Sequence, residues 1–378
     1  MLFELIDWLE KTYQPPGFSA FAFITTRSAV AAAMALFISI MVGKRIIAWL
    51  EKMQLREVIR EDIGLDTHLG KAHTPTMGGI IILLAVLIPA LLWMPMDSIY
   101  TWMILSVTFL LGCVGFVDDY IKVVKKDKSG LSGRFKMGGQ IVVGLALGAV
   151  LYFWPAFSEF NTLSTVPFLK YVNIDYAVLG EALGWIIYIP VVVFIITAVS
   201  NATNLTDGLD GLAAGSSAIA GLIFGIFAYV SGRADYSEFL NILYLPGSGE
   251  LTIFCASLTG ACMGFLWYNS HPASVFMGDT GSLAIGGAFG ALALMLKKEL
   301  LLPIICGIFF VEAVSVLIQT GYFKYTRRKY GEGRRVFLLA PIHHHFEKRG
   351  WPESKIVIRF WIIAVLLGIL SLLTLKLR

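Results

Sequence analysis

Residues 100–126 read YTWMILSVTFLLGCVGFVDDYIKVVKK. From Tyr100 to Val117 no side chain carries a charge; Asp118 and Asp119 then arrive together, followed by Lys122, Lys125 and Lys126. A bilayer core is crossed by about 20 apolar residues in a helix. The segment therefore reads as a spanning helix that ends in two adjacent carboxylates at the membrane edge, where charge is costly unless it is solvated, paired or held by a cation.

Outward from that stretch the whole chain has the same character. Of its 378 residues 57% are hydrophobic and 15% charged, against about 25% charged in soluble domains, and this imbalance excludes a water-soluble globule. Further apolar runs give ten candidate spans at 21–50, 76–95, 100–117, 138–154, 183–200, 212–231, 251–268, 282–296, 301–322 and 356–375. The expectation is an all-α polytopic membrane protein of one domain, residues 1–378. Residues 1–20 carry Glu4, Asp7 and Glu10 where a cleaved signal would be basic, and they suit a short helix in the membrane interface. Most lysines and arginines fall in the first, third and ninth connections, as in Lys122, Lys125, Lys126 and Lys128, then Lys324, Arg327, Arg328 and Lys329. Basic loops stay cytoplasmic, so these connections should face inward and both termini outward, to the periplasm. The connection at 155–183 would then be periplasmic, as a small hairpin or surface helix, and 323–355 a cytoplasmic loop. A net charge of +4 needs no nucleic-acid partner. Cys113, Cys255, Cys262 and Cys306 lie inside apolar runs and read as buried hydrophobes rather than disulfide partners.

This topology puts five aspartates on the cytoplasmic surface: Asp118 and Asp119, Asp207 and Asp210 in NATNLTDGLDGL, and Asp279 in VFMGDTGS. Asp207, Asp210 and Asp279 open apolar segments and are individually explained as helix caps. Asp118 and Asp119 are not, because they close a helix, where the dipole repels an anion, and they repel each other. A divalent cation, or a lysine such as Lys122 one turn on, relieves both. Oxygen ligands without cysteine favour a hard ion, and Mg²⁺ held by one or two carboxylates and substrate phosphates is the usual case. Metal-assisted phosphoryl transfer is thus the preferred reading over five unrelated caps.

Other residues fit around that centre. Asn201, Asn204, Asp207 and Asp210 recur every third position and form a polar stripe suited to a hydroxyl-rich or nucleobase-bearing ligand. APIHHHFEKRGWPE holds His343, His344 and His345, which point in different directions in regular structure, so one or two of them contact phosphate or organise a carboxylate. Lys71 in KAHTPTMGG, which also contains Thr76, either meets an anion or only marks topology.

Taken together, GFVDDYIKVVKK, NATNLTDGLDGL, VFMGDTGSLAIGG and APIHHHFEKRGWPE resemble the polyprenyl-phosphate N-acetylhexosamine-1-phosphate transferases. TPTMGG and PIHHHFE point to their muramoyl-pentapeptide branch, and the resemblance covers most of the chain. It implies ten spans with outward termini in a bacterial inner membrane. It also implies transfer of phospho-MurNAc-pentapeptide from UDP-MurNAc-pentapeptide to undecaprenyl phosphate, giving lipid I and UMP with Mg²⁺. By the same resemblance Asp279 is the main Mg²⁺ ligand, with Asp118 beside it. Asp118 and Asp119 form a catalytic pair, and His344 joins the catalytic set. Asp118 acts as base or as covalent nucleophile, direct attack being preferred. Lys71, Thr76, Lys122, Asn204, Asp207, Asp210, Asn269, Phe276, Gln319, His343 and His345 surround the nucleotide and diphosphate, Phe276 as a stacking partner for uracil. Partners are the two substrates and membrane lipids, and a homodimer is compatible with the chain. Two rivals stay open: a sister transferase using UDP-GlcNAc, and a secondary transporter with intramembrane carboxylates.

Overall fold

The computed structural model describes residues 1–53, 74–125, 130–169, 172–178, 180 and 182–376. The chain opens with α1 (Leu2–Tyr13), α2 (Ile24–Lys52), α3 (Gly79–Trp93), α4 (Ile99–Val124) and α5 (Gly133–Phe153). A short antiparallel hairpin, β1 (Leu163–Thr165) and β2 (Asn173–Asp175), pairs Leu163 with Asp175 and Thr165 with Asn173. Then come α6 (Trp185–Thr206), α7 (Leu212–Ser231), α8 (Ala234–Leu240), α9 (Leu251–Asn269), α10 (Gly278–Met295), α11 (Leu302–Ile305), α12 (Gly307–Tyr330), α13 (Ile342–Lys348) and α14 (Glu353–Leu373).

Seven helices among the described residues are long and apolar enough to cross a membrane. An eighth arises if Glu299–Ile305 and Gly307–Tyr330, bent by 88°, count as one span. The expected uninterrupted run at 301–322 is therefore two pieces: Cys306 leaves helical backbone at φ −97° and ψ 28°, and the chain turns into Gly307. The chain is mostly helical, as expected, and of the two forms open for 155–183 the structure has the small hairpin. Its polar edge is anchored, since Ser164 Oγ donates to Glu299 Oε2 at 2.7 Å and Thr165 Oγ1 to the Lys297 carbonyl at 2.7 Å. Helix α1 buries none of its residues and lies against the end of α3, its Glu4 accepting the Met96 amide at 3.2 Å.

The core is built around α10, in which every residue from Asp279 to Met295 is buried. Its GDTGSLAIGGAFGALALM sequence has little side-chain bulk, so α4, α6 and α3 pack against its backbone, as small residues allow between apolar helices. A Cβ on Gly115 of α4 would lie 2.1 Å from the Asp279 carbonyl oxygen, and one on Gly79 of α3 would lie 2.0 Å from the Gly281 nitrogen. Those two glycines let three helices converge where α10 begins.

Candidate active site

That convergence brings together residues from four helices. Asp118 and Asp119 lie within the last two turns of α4, Lys136 in the first turn of α5, Asn204 in the last turn of α6 and Asp279 in the first turn of α10. All three aspartates are buried, and their oxygens lie within 4.8 Å of one another. Carboxylates this close repel strongly unless cations intervene. Lys122 Nζ does so, 2.5 Å from Asp118 Oδ2 and 2.8 Å from Asp279 Oδ2. Lys136 Nζ is 2.8 Å from the same Asp279 oxygen and 3.8 Å from Asp118 Oδ2. The other Asp279 oxygen accepts from Asn204 Nδ2, which also donates to Ser282 Oγ at 2.9 Å.

The two adjacent aspartates have different surroundings. Asp119 faces the start of α10 and caps it from another helix: it accepts the Asp279 amide at 3.1 Å, the Thr280 amide at 2.9 Å and the Thr280 hydroxyl at 2.6 Å. It thus satisfies free amides of that helix end and places its negative charge at the positive end of the dipole. Asp118 accepts the Leu131 amide at 2.7 Å through Oδ1 and turns Oδ2 to the lysines. The Asp118, Asp119 and Asp279 carboxylates form an all-oxygen group whose chemistry fits a hard divalent ion such as Mg²⁺.

A second group lies on the neighbouring loop. Asp210 Oδ2 is 3.0 Å from His271 Nδ1 and accepts the Ala273 amide at 3.1 Å, while Glu353 accepts the Asp210 amide at 2.7 Å. Asn269 accepts the Gly211 amide at 3.1 Å and donates to the Val275 carbonyl at 2.9 Å. Asp207 reaches back to the first centre by accepting the Gly278 amide at 3.1 Å. Thr76 and Phe276 sit on two segments joined like strands: the Phe276 amide donates to the Pro75 carbonyl at 2.9 Å and the Gly78 amide to the Phe276 carbonyl at 2.8 Å.

The three histidines diverge, as consecutive helical residues must. His343 is fully buried against Glu312, its Nδ1 3.1 Å from Oε2. His344 Nδ1 lies 2.5 Å from Glu347 Oε2. His345 Nδ1 accepts the Leu338 amide at 3.1 Å, and burial together with the nearby Arg349 holds its pKa below the ordinary histidine value. Gln319 folds the preceding segment onto α12, donating to the Phe337 carbonyl and accepting the Val336 and Phe337 amides. Lys71 lies outside the described residues.

Asp118, Asp119, Lys122, Asn204, Asp207 and Asp279 thus form one connected centre. Gln319 and His345 are engaged within the loop that precedes α13. Lys136, Glu312, His271, Glu347 and Glu353 had not been singled out from the sequence. Two of them had signals there: Glu347 stands three residues after His344 on one helix face, and Glu312 interrupts the apolar run GIFFVEAVSVLI.

Comparison with known proteins gives consistent matches. A family model described as Glycosyl transferase family 4 matches residues 101–297, and one described as Phospho-N-acetylmuramoyl-pentapeptide-transferase signature 1 matches residues 71–83. Proteins named phospho-N-acetylmuramoyl-pentapeptide-transferase are 54% identical in Salinibacter ruber, 52% in Chloroherpeton thalassium and 49% in Flavobacterium johnsoniae, each alignment covering 100% of both chains.

Proposed function

The chain belongs to the phospho-N-acetylmuramoyl-pentapeptide-transferase family, and from that premise we propose a division of labour among its residues. The protein is a multi-pass membrane transferase of peptidoglycan synthesis. It passes phospho-MurNAc-pentapeptide from UDP-MurNAc-pentapeptide to a polyprenyl phosphate, taken here as undecaprenyl phosphate, with release of UMP. A phosphate oxygen of the lipid attacks the sugar-bearing phosphorus, and the bond to UMP breaks as the new phosphoanhydride forms. One anhydride replaces another, so positioning and charge neutralisation supply most of the catalysis.

The observation that carries this assignment is the meeting of Asp118 and Asp279 with Lys122 and Lys136 at one end of the bundle. Asp279 and Asp118 would hold Mg²⁺, which supplies Lewis-acid neutralisation of the diphosphate. Lys122 and Lys136 are the cations ready to follow phosphate charge as it shifts toward the leaving UMP. Asn204 orients Asp279, and Asp119 fixes the start of α10. Asp118, with one oxygen among the lysines, is the group placed to take a proton from the lipid phosphate. Asp207, Asp210, Asn269, Phe276 and Thr76 shape the adjoining loops and are assigned to the nucleotide; His343, His344 and His345 belong to the loop that closes beside them.

Helices lie on all ten apolar runs, α11 and α12 sharing one, and with seven or eight of them long and apolar enough to cross a membrane we assign the ten runs as ten spans. The basic connections support a cytoplasmic site, outward termini and placement in the bacterial inner membrane. A cysteine at Gly331 is then labelled from the cytoplasmic side alone. The deciding experiment is turnover of UDP-MurNAc-pentapeptide and undecaprenyl phosphate by purified protein, with and without Mg²⁺, beside UDP-GlcNAc. Lipid I and UMP formed only from the muramoyl substrate and only with the metal is the expected result. Turnover of UDP-GlcNAc instead would transfer the chain to the sister activity.

A further inference from the structure

Glu312 lies in the apolar stretch GIFFVEAVSVLI of α12, with no side-chain exposure. A carboxylate in such a place is costly and is kept where it does something a hydrophobic residue would not. Its Oε2 accepts the His343 amide at 3.4 Å and lies 3.1 Å from His343 Nδ1, while Oε1 has no hydrogen-bond partner. Glu312 therefore holds His343 by its backbone amide, with the ring packed beside the same oxygen and neither ring nitrogen hydrogen-bonded among the described residues.

The far edge of that ring meets Gly208. A Cβ there would lie 2.3 Å from His343 Nε2, so the ring fills the space that any larger residue would need. Gly208 follows Asp207, whose carboxylate accepts the Gly278 amide at 3.1 Å, one residue before Asp279. A single column thus runs from α12 through the histidine ring to the backbone that shapes the carboxylate centre.

We propose that Glu312 is a positioning residue for the transfer reaction, holding His343 as a strut beneath Gly208 so that Asp207 and the start of α10 keep their register. The inference rests on the reaction assigned above. Asp207 fixes the backbone beside the metal-binding carboxylate, so loss of the strut is felt at the reacting centre more than in binding of the lipid acceptor.

The test is steady-state kinetics of detergent-purified full-length protein, with kcat expressed per folded molecule, for Glu312→Leu, Glu312→Gln and Gly208→Ala. Glutamine keeps the shape and an accepting oxygen for the histidine, so its kcat should stay within about threefold of wild type. Glu312→Leu should lose about 10–100-fold in kcat, the usual scale for an outer partner of a catalytic group, with KM for undecaprenyl phosphate changed by less than about twofold. Gly208→Ala pushes the ring away from the opposite side and should show the same split; it carries the test if Glu312→Leu does not fold. A merely structural pair would lower thermal stability and leave kcat per folded molecule alone. Wild-type protein that forms no lipid I would overturn the reaction assigned above. Active wild-type protein matched in kcat by both Gly208→Ala and any folded Glu312→Leu would overturn the positioning role alone.

Discussion

The two ends of the helix bundle both bury charge, and they treat it in opposite ways. At the end where α10 begins, Lys122 and Lys136 bridge Asp118 and Asp279, and the Lys122 side chain keeps 35% of its exposure. At the end where α10 stops, Lys297 is 1% exposed, and its ammonium donates to the Asn161 carbonyl at 3.0 Å and the Tyr188 hydroxyl at 3.1 Å. Glu299 is sealed there by Ser164 of the hairpin, and Arg27 pairs with Glu250 at 2.7 Å while covering the Phe3 ring at 4.0 Å. The first set consists of lysines on buried carboxylates, with Lys122 reaching the surface. In the second set Lys297 and Glu299 are held by neutral partners, and Arg27 is closed off by its pairing with Glu250 and by the Phe3 ring. The same residue types occur at both ends, and by the assignment proposed above they serve reaction at one and assembly at the other, with exposure and partner identity separating the two.

The strongest way to break this contrast is Asp279→Asn, which keeps the shape and removes the charge. It should lower kcat by more than about 100-fold, the scale on which even outer partners of a metal site act, with the fold retained. Near-normal turnover at ordinary Mg²⁺ would reduce Asp279 to a helix cap.

Asp118→Asn sharpens the comparison within the reactive end. Loss of a general base costs about 10²–10⁴-fold, and the remaining activity should rise with pH as the lipid phosphate ionises unaided. Wild-type enzyme given UDP-MurNAc-pentapeptide without lipid should release no burst of UMP. A stoichiometric burst absent in Asp118→Asn, with labelled sugar retained on the denatured protein, would make Asp118 the covalent nucleophile.

Ser164→Ala addresses the sealed end. It removes the Glu299 Oε2 donor from a buried site, which should cost about 1–3 kcal/mol of stability, read as a lower thermal midpoint, while kcat stays at the wild-type value. A fall in kcat per folded molecule would show that the sealed end is not independent of the reaction.

The smallest expected effect is at His345. Its Nδ1 accepts the Leu338 amide only while unprotonated, and its pKa is lowered in the fold by burial and Arg349. The folded state then binds fewer protons than the unfolded chain between the lowered pKa and the ordinary value near 6.5, so stability rises with pH through that window and is lost on acidification. Faster amide exchange at Leu338 as the pH falls below the ordinary histidine value, relative to the intrinsic acid dependence, is expected. His345→Gln should remove that excess, and an identical profile in the variant would exclude the histidine.

Much of this was legible in the chain. The apolar runs mark helices because hydropathy is a local property, and GFVDDYIKVV displays both its carboxylates and Lys122 at the (i, i+4) spacing that brings Lys122 to Asp118. The hairpin left only an ambiguous trace, since three-residue strands carry too little periodicity to decide their form. The resemblance of the motifs named the family before any geometry was known.

What the sequence by itself determined is therefore what short range can encode: helices spaced along an apolar chain, acids at their ends, and glycines where backbones must approach. Tertiary structure alone decided which partners each acid meets. Asp118 and Asp119 are neighbours, yet one turns to the lysines and the other caps α10 from 160 residues away. Lys136 and Asn204 reach Asp279 across 143 and 75 residues, and Glu312 meets His343 across 31. The role of a buried charge is set by the partner that desolvates and orients it, and the packing of α4, α5, α6 and α12 around α10 and its loops selects that partner.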